Sequence, residues 1–89
     1  MDRREAVIAV IIEKDESIEE VNRLLHGARE YIIGRMGIPY RARGINLISI
    51  AVDAPQTLIS ELSGRLGQLP GVSAKTAYSN VISKAEQEQ

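Results

Sequence analysis

Apolar residues along this chain fall into runs and stripes of two kinds. Ala6 to Ile12, AVIAVII, is continuous, rich in β-branched residues and bounded by charge. Such a run suits a strand covered on both faces, hence a central one. Ser17 and Glu20 then form an S-x-x-E capping box, and Ile18, Val21, Leu24, Leu25 and Ala28 recur at helical spacing. The helix so predicted ends near Gly27, with Glu19 and Arg23 paired on its solvent side. From Arg29 to Met36 the helical stripe is lost, and Tyr31, Ile32 and Ile33 predict a strand with a bulge or close approach at Gly34. Gly37 to Gly44, GIPYRARG, reads as the connection of a long hairpin, because Pro39 cannot donate to a ladder. The return strand is Ile45 to Val52.

A second helix begins near Pro55 and carries Leu58, Ile59, Leu62, Leu66 and Leu69 on one face. Gly67, Pro70 and Gly71 end it and turn the chain into a last strand, Val72 to Tyr78. Gly64, inside the helix, is a position for close packing. The residues of 80–89 are polar and read as a frayed tail, which leaves 1–79 as one domain.

The predicted order is β-α-β-β-α-β. This is the α+β, ferredoxin-like arrangement: a four-stranded antiparallel sheet in spatial order 4-1-3-2, with right-handed crossovers placing both helices on one face. In the third strand Asn46, Ile48, Ile50 and Val52 point one way, and Ile45, Leu47, Ser49 and Ala51 the other. Both sides are mostly apolar, but two helices cover only one of them. The remaining face would be an apolar patch larger than monomers tolerate, so burial against another copy is expected. A homodimer or dimer-based tetramer, with Ile45, Leu47, Ile48 and Ile50 at the interface, is the resulting assignment.

Composition supports self-association. At 89 residues a single domain buries only about 60 to 65% of its unfolded surface. There are three tyrosines and no phenylalanine or tryptophan, so the core is aliphatic. Eleven basic and twelve acidic residues give a net charge of -1, which provides no global field toward nucleic acid or anionic membrane. The absence of cysteine excludes disulfides, thiolate chemistry and cysteine-based zinc sites. The first apolar run meets Glu13, Lys14 and Asp15 too soon for a signal peptide or a membrane span, so the cytoplasm is the expected compartment.

Candidate chemistry is sparse. One histidine, without a Ser-His-Asp or Cys-His set, gives no catalytic constellation, so no enzyme, metal or cofactor is expected. Glu13, Asp15, Glu16, Glu19 and Glu20 gather where the first helix dipole favours acids, and His26 sits where it favours a cation. The basic concentration is Arg29, Arg35, Arg41 and Arg43, with Tyr31 and Tyr40 nearby. It reads either as an anion site for a small ligand or as charge protecting an edge strand and pairing between subunits. The β-α-β-β-α-β order is also that of the RNA-recognition motif, whose third strand needs aromatic residues for base stacking. Here Ile45, Leu47 and Ile50 occupy those positions after Arg43-Gly44, so RNA binding by this face is rejected.

Val21 to Tyr40, VNRLLHGAREYIIGRMGIPY, together with Leu62 to Thr76, LSGRLGQLPGVSAKT, resembles the iron-only hydrogenase system regulator family, small proteins with an ACT-like fold. The resemblance is most specific in LLH, GRMGIPY and SGRLGQLPGV. It implies a regulatory or sensor-type module linked to iron-only hydrogenase maturation or its transcriptional control. The fold is also similar to nickel-responsive repressor C-terminal domains and amino-acid-binding ACT domains. Their sites do not carry over, since Arg29 to Val52 contains no histidine or cysteine and the loop Glu13 to Ser17 contains no glycine. Met1 to Arg4 leave no room for a DNA-binding module before the first strand, so direct nucleic-acid contact is not expected. A ligand-free assembly protein is the alternative reading.

Overall fold

The computed structural model describes residues 3–80. Strand β1 spans Arg3–Ile12, α1 Ile18–Gly27, β2 Ile32–Tyr40, β3 Ile45–Pro55, α2 Gln56–Gly67 and β4 Val72–Tyr78, with short 3-10 turns at Asp15–Ser17 and Arg29–Tyr31. All pairings are antiparallel, and the sheet order β2-β3-β1-β4 is the expected 4-1-3-2 read from the opposite edge. The two central strands are those with the longest apolar runs. They are also longer than the hydrophobic pattern indicated, because Arg3, Arg4 and Glu5 of β1 pair with Pro55, Ala54 and Asp53 of β3. Backbone hydrogen bonding carries the ladder past the continuous apolar run of β1, and on β3 it takes in Ala54, which is buried.

One core joins Ala6, Ile8, Val10 and Ile12 of β1, Ile50, Val52 and Ala54 of β3, and Val72 of β4 to Val21 and Leu25 of α1 and Ile59, Leu62 and Leu66 of α2. Both helices thus lie on one face of the sheet. Strand β2 runs through Pro39 to Tyr40, so only residues 41–44 form the hairpin turn, not the whole of Gly37 to Gly44. Pro39 is tolerated because β2 is an edge strand, and one side of its backbone has no ladder to complete. The predicted irregularity at Gly34 is a bulge: Ile32 pairs with Val52 and Gly34 with Ala51, leaving Ile33 between them as the extra residue.

The start of α1 differs from the capping-box expectation. Ser17 has αR backbone and its side chain makes no cap hydrogen bond. It is buried, and its Oγ donates instead to the Pro70 carbonyl at 2.6 Å. Glu20 turns to Arg23, which donates from Nε at 2.9 Å and also from Nη2. Those hydrogen bonds hold the Glu20 carboxyl below its ordinary range and raise Arg23. Arg23 therefore pairs with Glu20, three residues away, and not with Glu19.

The join after α2 is a structural clasp. Gly71 has φ of +69°, and a Cβ there would lie 2.6 Å from Lys14 Cγ. Glu13 N donates to the Gly71 carbonyl at 2.7 Å. The loop after β1 and the loop after α2 are thereby locked together, with glycine required both for its backbone and for space. Nothing lies within 4 Å of where a Gly64 Cβ would stand, so close packing is not the role of that glycine. Pro55 closes β3 and precedes α2 with ψ of 142°, just before the first helical turn in which it was expected. Of the polar tail at 80–89, residues 81–89 lie outside the described residues.

Candidate functional site: the open sheet face

Strand alternation sorts the sheet's side chains into two sets. The helix-covered set is the core above. On the opposite face, the register aligns Val7 with Ala51 and Ala77, Ala9 with Ser49 and Lys75, and Ile11 with Leu47 and Ser73. On β2 the bulge sets the phase. With Ile33 as the extra residue, Met36, Ile38 and Tyr40 come opposite Ser49, Leu47 and Ile45 on the open face, while Arg35 comes opposite Ile50 on the helix side.

The result is a continuous apolar surface. Among the described residues the exposed large apolar side chains are Val7 (43%), Ile11 (39%), Ile33 (67%), Met36 (60%), Ile38 (47%) and Tyr40 (48%). All six belong to this face. Val7, Ile33, Ala51 and Ala77 line one shallow depression, and Ala9, Ile11, Met36, Ile38, Leu47 and Ser49 line another. Among the described residues, charge on this face is confined to the margins. Arg3, Glu5 and Asp53 stand at one end, where Arg3 Nε lies 3.4 Å from Asp53 Oδ1, and Lys75 stands on the β4 side.

Only part of the interface assigned from sequence falls here. Leu47 and, by register, Ile45 are on the open face. Ile50 is fully buried beneath the helices and Ile48 packs against the same core, so these two do not belong to the open surface. The correction follows from alternation within one strand: adjacent residues cannot share a face. The exposed apolar residues of this face that the sequence assignment does not include are Val7, Ile11, Ile33, Met36, Ile38 and Tyr40. Alternation in β1 is hidden by an unbroken apolar run, and in β2 by the bulge.

The four arginines do not converge. Arg41 and Arg43 share the hairpin turn, whereas Arg29, in the 3-10 turn before β2, donates from Nη1 to the His26 carbonyl at 2.8 Å. The length of β2 separates those ends by about 25 Å at the usual rise of an extended chain. Arg35, in between, donates from Nη2 to Asn22 Oδ1 at 2.8 Å. Among the described residues no three His, Cys, Asp or Glu side chains gather as metal ligands, and no helix is long and apolar enough to cross a membrane.

A model of the TM1266-like family, described as "Iron-only hydrogenase system regulator, putative", matches residues 4–76. The chain belongs to this family. The structure of the uncharacterized protein TM1266 from Thermotoga maritima is similar to it, with a TM-score of 0.83 and 31% identity over 86% of this chain and 98% of that one. A regulatory role for this member of the TM1266-like family is thus supported at the level of the family. A formyltetrahydrofolate deformylase from Pseudomonas putida KT2440 matches with a TM-score of 0.64 and 16% identity, over 85% of this chain and 29% of that one. That likeness shows the shared fold alone. No curated protein matches the TM1266-like chain.

Proposed function

We propose that the protein is a regulatory ACT-like module of the iron-only hydrogenase system that works as a homodimer, or a tetramer built from that dimer, joined through the open sheet faces. The observation that carries this is the contiguous apolar face. Its six exposed side chains leave on the order of 600 Å² accessible, at the upper end of what monomers show. With Ala9, Leu47, Ala51 and Ala77 between them, the patch approaches the roughly 800 Å² per partner of a standard interface.

A second copy suits this surface, because the face offers an apolar centre and both signs of charge, Arg3 and Lys75 with Glu5 and Asp53 on its margin. A two-fold axis brings such a margin onto itself with opposite charges available. Regulation then proceeds by ligand or partner binding to the assembled module, without catalysis and without direct nucleic-acid contact. A ligand-free assembly role is the competing reading, and the dispersal of Arg29, Arg35, Arg41 and Arg43 favours it over a four-arginine anion site.

Light scattering at micromolar concentration tests the assembly. The expected mass is at least twice the 9.8 kDa of one chain. A monomeric mass would refute the proposal. A thermal-shift screen of amino acids, nucleotides and metals tests ligand response, since a molecule that binds only the folded state raises apparent stability.

A further inference from the structure

The bulge that builds the apolar face has a second effect on the other side of β2. It sends Arg35 toward α1, and the next two residues on that side are Gly37 and Pro39. Neither fills the space that a large side chain would occupy, and nothing lies within 4 Å of where a Gly37 Cβ would stand. A groove of about 220 Å³ results, between α1 and the outer half of the sheet. Ile12, Ile18 and Ile48 give it apolar walls, and Arg35, Asn22 and Asn46 give it polar ones.

Arg35 is exposed at the rim of this groove, with its guanidinium reachable from solvent. Among the described residues the ion pairs are Arg3 with Asp53 and Arg23 with Glu20, and Arg35 has no carboxylate partner. Its bond to Asn22 Oδ1 uses one guanidinium N–H and orients the plane, leaving further donors for a bidentate acceptor. The two amides add neutral donors and acceptors, and the isoleucines add an apolar surface that a hydrated inorganic anion would not use.

We propose that the groove between α1 and β2 binds a small carboxylate with a branched apolar body, the carboxylate on Arg35 and the body against the part-buried Ile18 and Ile48. The volume suits a small metabolite and is below that of pockets for drug-sized molecules. This rests on the reading of the chain as a ligand-responsive module, and it replaces four dispersed arginines by one oriented guanidinium.

The test is a backbone-amide NMR titration of the intact chain with isovalerate and, in parallel, with isovaleramide, which has the same shape and no charge. Isovalerate is expected to shift amides of residues 18–22, 35–38 and 46–48, and isovaleramide to leave them in place. Arg35→Gln should weaken isovalerate binding about tenfold or more, the loss expected for a charged hydrogen-bonded pair. Arg43→Gln, on the hairpin turn, should bind as the native chain does. Absence of shifts in the groove, an equal response to the amide, or unchanged binding by Arg35→Gln would each overturn the proposal. Light scattering on the same samples separates the two ideas: a dimer that ignores isovalerate refutes the carboxylate site alone, and a monomer refutes the sheet-face assembly alone.

Discussion

The two faces of this sheet are built from similar residues with opposite fates. Along β1, Ala6, Ile8, Val10 and Ile12 are buried, while Val7 and Ile11, of the same residue types, stay exposed. Along β3, Ile50 and Val52 are buried and Leu47 and Ala51 only half-buried. Hydrophobicity does not distinguish the sets; the position of two helices does. Burial of apolar surface is non-directional, so a residue contributes to folding only if something is placed against it. The covered face stabilises the chain, and the uncovered one is available to join chains.

The sharpest test of that comparison is substitution on the covered side. Ile50→Ala should cost about 2–5 kcal/mol, since a fully enclosed side chain leaves a cavity. Chemical denaturation measures it, and a loss as small as that of a surface change would erase the distinction between the faces. The clasp that holds the helical layer to the sheet comes next. Gly71→Ala should cost about 1–3 kcal/mol through its positive φ and the approach of Lys14, whereas Gly64→Ala should stabilise by roughly 0.5–1 kcal/mol through helix propensity. Equal melting temperatures for the two variants would contradict the clasp.

On the open side, Ile38→Lys should weaken self-association about tenfold or more, by burying a charge without a partner, and change the stability of the dissociated chain by about 0.5 kcal/mol or less. Sedimentation at several concentrations reads the first quantity and denaturation of the dilute protein the second. A large loss of monomer stability would place Ile38 in the core after all.

The smallest effect is on the outer surface of α1. The folded-state pKa of Glu20 is depressed, so its pairing with Arg23 stabilises the fold above the ordinary carboxylate value of 4.5 and is lost as pH falls through the folded value. Glu20→Gln should therefore differ from the native chain mainly above that range and converge with it in acid, by a small margin because both groups are exposed. Melting curves across that pH range would show the convergence.

Much of the architecture is legible in local pattern. The β-branched runs, the helical stripe of α2 and the Gly67-Pro70-Gly71 punctuation place the elements, and Val72 to Tyr78 has the bounds read from sequence. The misses share one cause. Ser17 has the spacing of a cap from Glu20, but the Pro70 carbonyl, distant in sequence, offers it a buried partner. Pro39 has the chemistry of a strand breaker, but lies on an edge where its missing donor costs little. Ile48 and Ile50 have the character of interface residues, but the helices claim their side of the strand.

The same division holds for the candidate sites. By itself the sequence determined that this chain alternates strands and helices as β-α-β-β-α-β, that its core is aliphatic, and that it has more apolar sheet surface than two helices can cover. Propensity, periodicity and composition are local properties, and they suffice for this. Only the tertiary structure decided which alternate residues face outward, because a one-residue bulge at Ile33 changes the phase of β2. It also decided that Arg29, Arg35 and the turn carrying Arg41 and Arg43 stand apart in space, leaving Arg35 in a groove beside Asn22. Phase and proximity are set by pairing between distant segments.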